Sequence, residues 1–67
     1  MSEMVLVFDG EDRVMVITPG EPLVEVVKRA GLYPSQVLPF INDTVIPLDR
    51  AVKENDRIEL LKVISGG

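Results

Sequence analysis

Two short runs of β-branched and apolar residues open the chain, Met4–Phe8 (MVLVF) and Arg13–Ile17 (RVMVI). Runs of this kind read as strands. Asp9-Gly10-Glu11-Asp12 separates them, and Asp-Gly between two such runs predicts a hairpin with a loop of about four residues. Thr18-Pro19-Gly20-Glu21 stops the second strand. The apolar period then lengthens: Leu23, Val26, Val27 and Ala30 fall at the i, i+3, i+4, i+7 positions of one buried helix face. Pro22 suits the first turn, where its missing N–H costs nothing. Glu21 and Glu25 lie near the positive end of the helix dipole, Lys28 and Arg29 near the negative end. Gly31 is placed to cap the C-terminus, and Pro34 prevents much extension. So short and valine-rich a helix must be held by packing on a sheet, not by propensity.

The second half repeats the strand signals more weakly. Val37–Ile41 reads as a strand, with Pro39 implying an edge position or a break in the ladder. Asn42-Asp43 is a turn leading into Thr44-Val45-Ile46, which Pro47 ends. Leu48–Val52 fits a single helical or 3₁₀ turn, and Lys53-Glu54-Asn55-Asp56 is a polar turn before a last strand, Arg57–Ile64. The order β-β-α-β-β-β predicts an α+β fold: a mixed four- to five-stranded sheet with one helix packed on one face. Sixty-seven residues make one domain. Its expected extent is 1–64, with 65–67 as a flexible tail.

Strand parity predicts a docking face. Arg57 and Glu59 do not belong under a helix, so Ile58 and Leu60 point inward while Leu61 and Val63 emerge on the open side. By the same alternation Glu3 sends Val5 and Val7 outward and turns Met4, Leu6 and Phe8 inward. Val5, Val7, Leu61 and Val63 then form an apolar patch of the kind that marks a partner site. Phe40 joins them if its strand keeps register past Pro39.

Composition narrows the function classes. A hydrophobic content of 46% is that of a globular chain, not a disordered one. No cysteine is available for a disulfide or a side-chain persulfide, and with no histidine either the usual Ser-His, Cys-His and zinc constellations are excluded. No phosphate-binding loop is present. The net charge of −4 argues against direct nucleic-acid binding and suits a partner with a basic face. The longest apolar stretches fall far short of the roughly 20 residues a spanning helix needs, and no signal peptide is expected. A cytoplasmic location with no membrane contact is the expectation.

Ser65-Gly66-Gly67 carries the candidate chemistry. Glycines lack Cβ, so the pair can enter a channel too narrow for side chains and present the Gly67 carboxylate to another protein's active site. A carboxylate is a poor electrophile until activated, for example as an acyl-adenylate. It could then pass its acyl group to sulfur or to an amine.

That tail, together with the element order, resembles the β-grasp family of ubiquitin-like proteins, and within it the small sulfur carriers ThiS, MoaD and the archaeal small modifiers. The likeness covers nearly the whole chain. It is carried by Pro34-Ser35-Gln36-Val37, by Phe40-Ile41-Asn42-Asp43-Thr44-Val45-Ile46-Pro47, and by Glu54-Asn55-Asp56-Arg57-Ile58-Glu59-Leu60. Asn42-Asp43 stands where Asn-Gly is usual and Glu54-Asn55-Asp56 where Asp-Gly-Asp is usual; both keep turn-forming residues. The resemblance implies that the chain is a protein co-substrate and not an enzyme. Gly67 would be adenylated by an ATP-using enzyme of the ubiquitin-activating type and converted to a thiocarboxylate with sulfur from a persulfide donor. Gly66 and Ser65 would thread the adenylating site. The sulfur would go, through a downstream synthase, to a thiamine, molybdopterin or tungstopterin precursor, or to tRNA. ATP belongs to the partner, and no cofactor is held permanently. Two other readings stay open: a modifier forming isopeptide bonds with target lysines, for which Lys28, Lys53 and Lys62 could accept further copies, and a plain β-grasp binding module.

Overall fold

The computed structural model describes residues 1–63; Ile64 to Gly67 lie outside the described residues. Its elements are β1 (Ser2–Phe8), β2 (Glu11–Ile17), α1 (Leu23–Arg29), a 3₁₀ turn (Pro34–Gln36), β3 (Val37–Ile41), β4 (Thr44–Val45) and β5 (Arg57–Lys62). The sheet is five-stranded, in the order β2-β1-β5-β3-β4. β1 and β5 run parallel and the other neighbours antiparallel, so the first and last strands lie side by side at its middle. This is the mixed sheet with a single helix that the alternation predicts.

The first hairpin is tighter than expected. Phe8 pairs with Glu11, leaving Asp9-Gly10 as a two-residue turn. Both residues have positive φ, 54° and 77°, the primed geometry whose twist matches the flanking strands. Asn42 and Asp43 repeat the device between β3 and β4, at φ 49° and 63°. Pro39 sits neither at an edge nor in a broken ladder. It pairs with Leu60 while β3 also pairs with β4. Its carbonyl accepts the Ile46 N–H at 3.0 Å, so the missing proline donor points to the same side, where β4 has already ended. The ladder to β5 loses nothing there.

α1 buries Leu23, Val26 and Val27, with Ala30 partly covered. They meet Met4, Leu6, Ile17, Val37, Val52, Ile58 and Leu60, and each such side chain contributes about 1.5–3 kcal/mol of transfer free energy. No side chain caps the N-terminus. The 47–52 segment does so instead, with Leu23 N–H donating to the Arg50 carbonyl and Val24 N–H to that of Leu48. That segment makes a single i→i+3 turn at Pro47–Arg50, part of the helical or 3₁₀ turn expected over Leu48–Val52, and then runs extended through Ala51 and Val52 with carbonyls facing the helix end. At the other end Gly31 takes φ 81°, and the Gly31 and Leu32 N–H groups return to the Lys28 and Val27 carbonyls, closing the last turn. Arg13 donates to the Ala30 carbonyl at 2.9 Å with its guanidinium over the Phe8 ring, placing positive charge at the helix's negative end.

Candidate functional site: the open sheet face

Register lays out the uncovered face row by row. Val14, Val5 and Arg57 are cross-strand neighbours; Asp12, Val7, Glu59, Phe40 and Val45 form the next row, and Leu61 and Leu38 the one beyond. Opposed residues share a face, so all of these point away from α1. Ile58 and Leu60 are buried, as the parity of the last strand requires, while Leu61 is 57% and Val63 41% exposed. Phe40 stays in register past Pro39 and lines, with Asp43, Glu59, Leu60 and Leu61, a shallow hollow of about 240 Å³.

Val5 and Val7 lie on the same face but are half-buried. An ion pair crosses above β1 between them: Arg57 of β5 donates to Asp12 of β2 at 3.1 and 3.4 Å, across 45 residues of sequence. Both partners are solvated, so the pair stabilises by at most about 1 kcal/mol. Its effect is geometric. The open face is divided into an apolar area at β3 and β5, centred on Phe40 and Leu61, and a second at β2, where Val14 is 63% and Val16 51% exposed. Sequence parity places these two valines beside Val5 and Val7, so this second area was open to detection from the alternation of RVMVI alone.

The charges on this face are mostly acidic. Glu3, Asp43 and Glu59 join the Arg57–Asp12 pair there, and β5 carries Glu59 midway between the two apolar areas. On the helix side the charges pair off. Arg29 makes a two-pronged contact with Glu21 at 2.6 and 2.9 Å and also reaches the Val16 carbonyl. The Arg29 guanidinium, with the Thr18 N–H, holds the Glu21 carboxyl below its usual range.

Lys28 is exposed and contacts Glu25 at 3.4 Å. Lys53 is exposed in the turn before β5, and exposed Lys62 borders a hollow of about 280 Å³ with Phe8, Asp9, Leu60 and Leu61. Ser65, Gly66 and Gly67 fall outside the described residues. Among the described residues no cluster of acidic or histidine side chains could hold a metal ion, and no helix is long and apolar enough to cross a membrane.

Comparison with known proteins assigns the fold. The chain is similar to the C-terminal ubiquitin-like domain of human 2'-5'-oligoadenylate synthetase-like protein, with a TM-score of 0.74 at 16% identity over 98% of this chain and 87% of that one. It is similar to a computationally designed protein based on human erythrocytic ubiquitin, with a TM-score of 0.70 at 19% identity over 100% and 98%. These likenesses show a ubiquitin-like β-grasp. In sequence the chain is 33% identical, over 57 residues, to the sulfur carrier protein TtuB of Thermus thermophilus, covering 85% of this chain and 88% of that protein. The model of the ThiS family matches residues 6–67, from within β1 to Gly66-Gly67. The chain belongs to the ThiS family of ubiquitin-like sulfur carriers.

Proposed function

We propose that this chain is a sulfur carrier whose Gly67 carboxylate is activated by a partner enzyme. The observation that supports the reading furthest is the union of two facts: the family match runs through Gly66-Gly67, and β5 leads towards them with Leu61 and Val63 exposed on the open face. A partner seated on Phe40, Leu61 and Val63 engages a strand end only a few residues in sequence before Gly66-Gly67, which must enter its adenylating site. The acidic residues around this area suit a basic surface on that partner.

In the proposed sequence a Gly67 carboxylate oxygen attacks the α-phosphorus of the partner's ATP, and pyrophosphate leaves. The outer sulfur of a donor persulfide then attacks the acyl-adenylate carbon and expels AMP, giving an acyl disulfide. A thiol reductant cleaves its S–S bond and leaves –COSH on Gly67. Activation is needed because AMP is a far better leaving group than oxide. Ser65 and Gly66 serve by being small. The thiocarboxylate then gives its sulfur to a cofactor precursor or to tRNA.

Intact-mass measurement on protein from its native host, grown with ample sulfur, tests the reading. One oxygen of Gly67 replaced by sulfur supports it, whereas Gly67 branched onto target lysines would establish the modifier role instead. ATP–pyrophosphate exchange with the cognate adenylating enzyme supplies a second readout. Deleting Gly66-Gly67 should abolish exchange, and a chain whose function survives that deletion acts as a binding module.

A further inference from the structure

β2 is an edge strand, and its outer side is unusually regular. The Glu3 carbonyl and Val5 N–H bond towards Asn55 and Asp56, on the β5 side of β1. Val16 and Val14, their opposite numbers across the hairpin, therefore turn their own backbone groups outward, as does Asp12. Of these outward groups the Val16 carbonyl is engaged, by Arg29 at 3.0 Å. Unpaired edge strands carrying exposed β-branched residues are templates for another strand.

We propose that the strand completing this edge is β2 of a second copy of the chain, paired antiparallel about Val14 to give a continuous ten-stranded sheet. Charge selects both the occupant and the register. On the α1 side of the sheet the start of β2 carries Glu11, and its far end carries the Arg29 guanidinium, shared between Glu21 and the Val16 carbonyl. Two-fold antiparallel pairing brings each Glu11 to the other copy's Arg29, while Asp12, on the open face, keeps its own Arg57. Outward groups meet outward groups only when the axis passes through a residue. Centred on Arg13, the pairing would oppose two arginines. Centred on Met15, it would shorten the overlap and put both engaged Val16 carbonyls in its inner hydrogen-bond rings. Centred on Val14, it opposes Val14 to Val14, Asp12 to Val16 and Arg13 to Met15 along the whole strand. Four backbone hydrogen bonds then form: two between the paired Val14 residues, and two from Val16 N–H to the Asp12 carbonyl. The exposed valines of β2 lie over this junction, and the Leu61 side of the sheet stays free in both copies.

A seven-residue edge buries less than the roughly 1,200 Å² of a stable complex, so the pairing is weak, with a Kd on the order of 0.1–1 mM. Amide NMR of the full chain, diluted from about 2 mM, is the test. Shifts confined to residues 11–17 and reversed on dilution are expected, and Val14→Lys should remove them while keeping the folded amide dispersion. Because the chain has no cysteine, Val14→Cys reads the register directly. Opposed Cα atoms about 5.5 Å apart lie within disulfide reach. Mild oxidation should therefore dimerise this variant at least tenfold faster than Val45→Cys, an exposed control on the other edge strand. Concentration-independent spectra, shifts centred on Phe40 and Leu61, or equal cross-linking of the two variants would overturn the proposal.

Discussion

On the helix-covered face of the sheet Met4, Leu6, Ile58 and Leu60 are sealed from water, whereas the same strands present Val5, Val7, Arg57, Glu59 and Leu61 to the other side. The backbone makes no distinction between the faces, since alternation supplies both. The difference lies in what each face asks of its residues. Packing under α1 tolerates no charge and little change of volume. The uncovered face carries acids, valines and an ion pair together, because water solvates whatever a partner leaves bare. Stability is thus concentrated on one side, and the docking proposed above on the other.

The widest separation should come from equal truncations on opposite faces. Ile58→Ala should cost about 2–5 kcal/mol in urea unfolding, enough to leave so small a domain barely folded. Leu61→Ala, three residues on but facing water, should stay within about 0.5 kcal/mol. A comparable loss at both sites would erase the contrast. Binding should invert the order: Leu61→Lys is expected to weaken association with the adenylating enzyme at least tenfold by calorimetry, about 1.4 kcal/mol, at unchanged Tm. Unaltered binding would move the docking surface away from β5.

Smaller effects sharpen the picture on the covered side. At Gly31 an added Cβ meets nothing within 4 Å, so Gly31→Ala should cost only the left-handed backbone penalty of about 1–2 kcal/mol. A much larger loss of Tm would mean that the last turn of α1 reorganises. The smallest expected effect concerns Glu21. Its carboxyl is held low by Arg29, so the stability it adds is fully present above the ordinary glutamate range and disappears as pH falls through its folded value. The difference in Tm between wild type and Glu21→Gln should accordingly shrink towards zero on acidification. A difference that grew at low pH would reverse that assignment.

Most of this architecture was legible from local pattern. The heptad-like spacing of Leu23, Val26 and Val27 found the helix and its buried side. Glu3, Arg57 and Glu59 fixed the parity of the two central strands because charge will not sit beneath a helix. The hairpin loop was read too long because Glu11 and Asp12 have turn-like chemistry, although ladder bonds to β1 hold them in the strand. Pro39 was legible as a ladder problem but not as its solution, which depends on where β4 stops. Least visible was the Arg57–Asp12 strap, since nothing local links positions 45 residues apart. Without it Val5 and Val7 read as a fully open patch. The chemistry expected of the tail rests on glycine's lack of a side chain and on family likeness, and Ser65-Gly66-Gly67 lie outside the described residues.

The parallel pairing of β1 with β5 has a consequence for biosynthesis. The middle strand of the sheet is the last of the five to be synthesised, so β1 and β3 must wait for Arg57–Lys62 before either has its full set of neighbours. A chain stalled before Arg57 lacks its central plank and has no folded surface to offer. The sheet therefore closes only once β5 is in place, and the exposed Leu61 surface arrives with the strand that completes the fold.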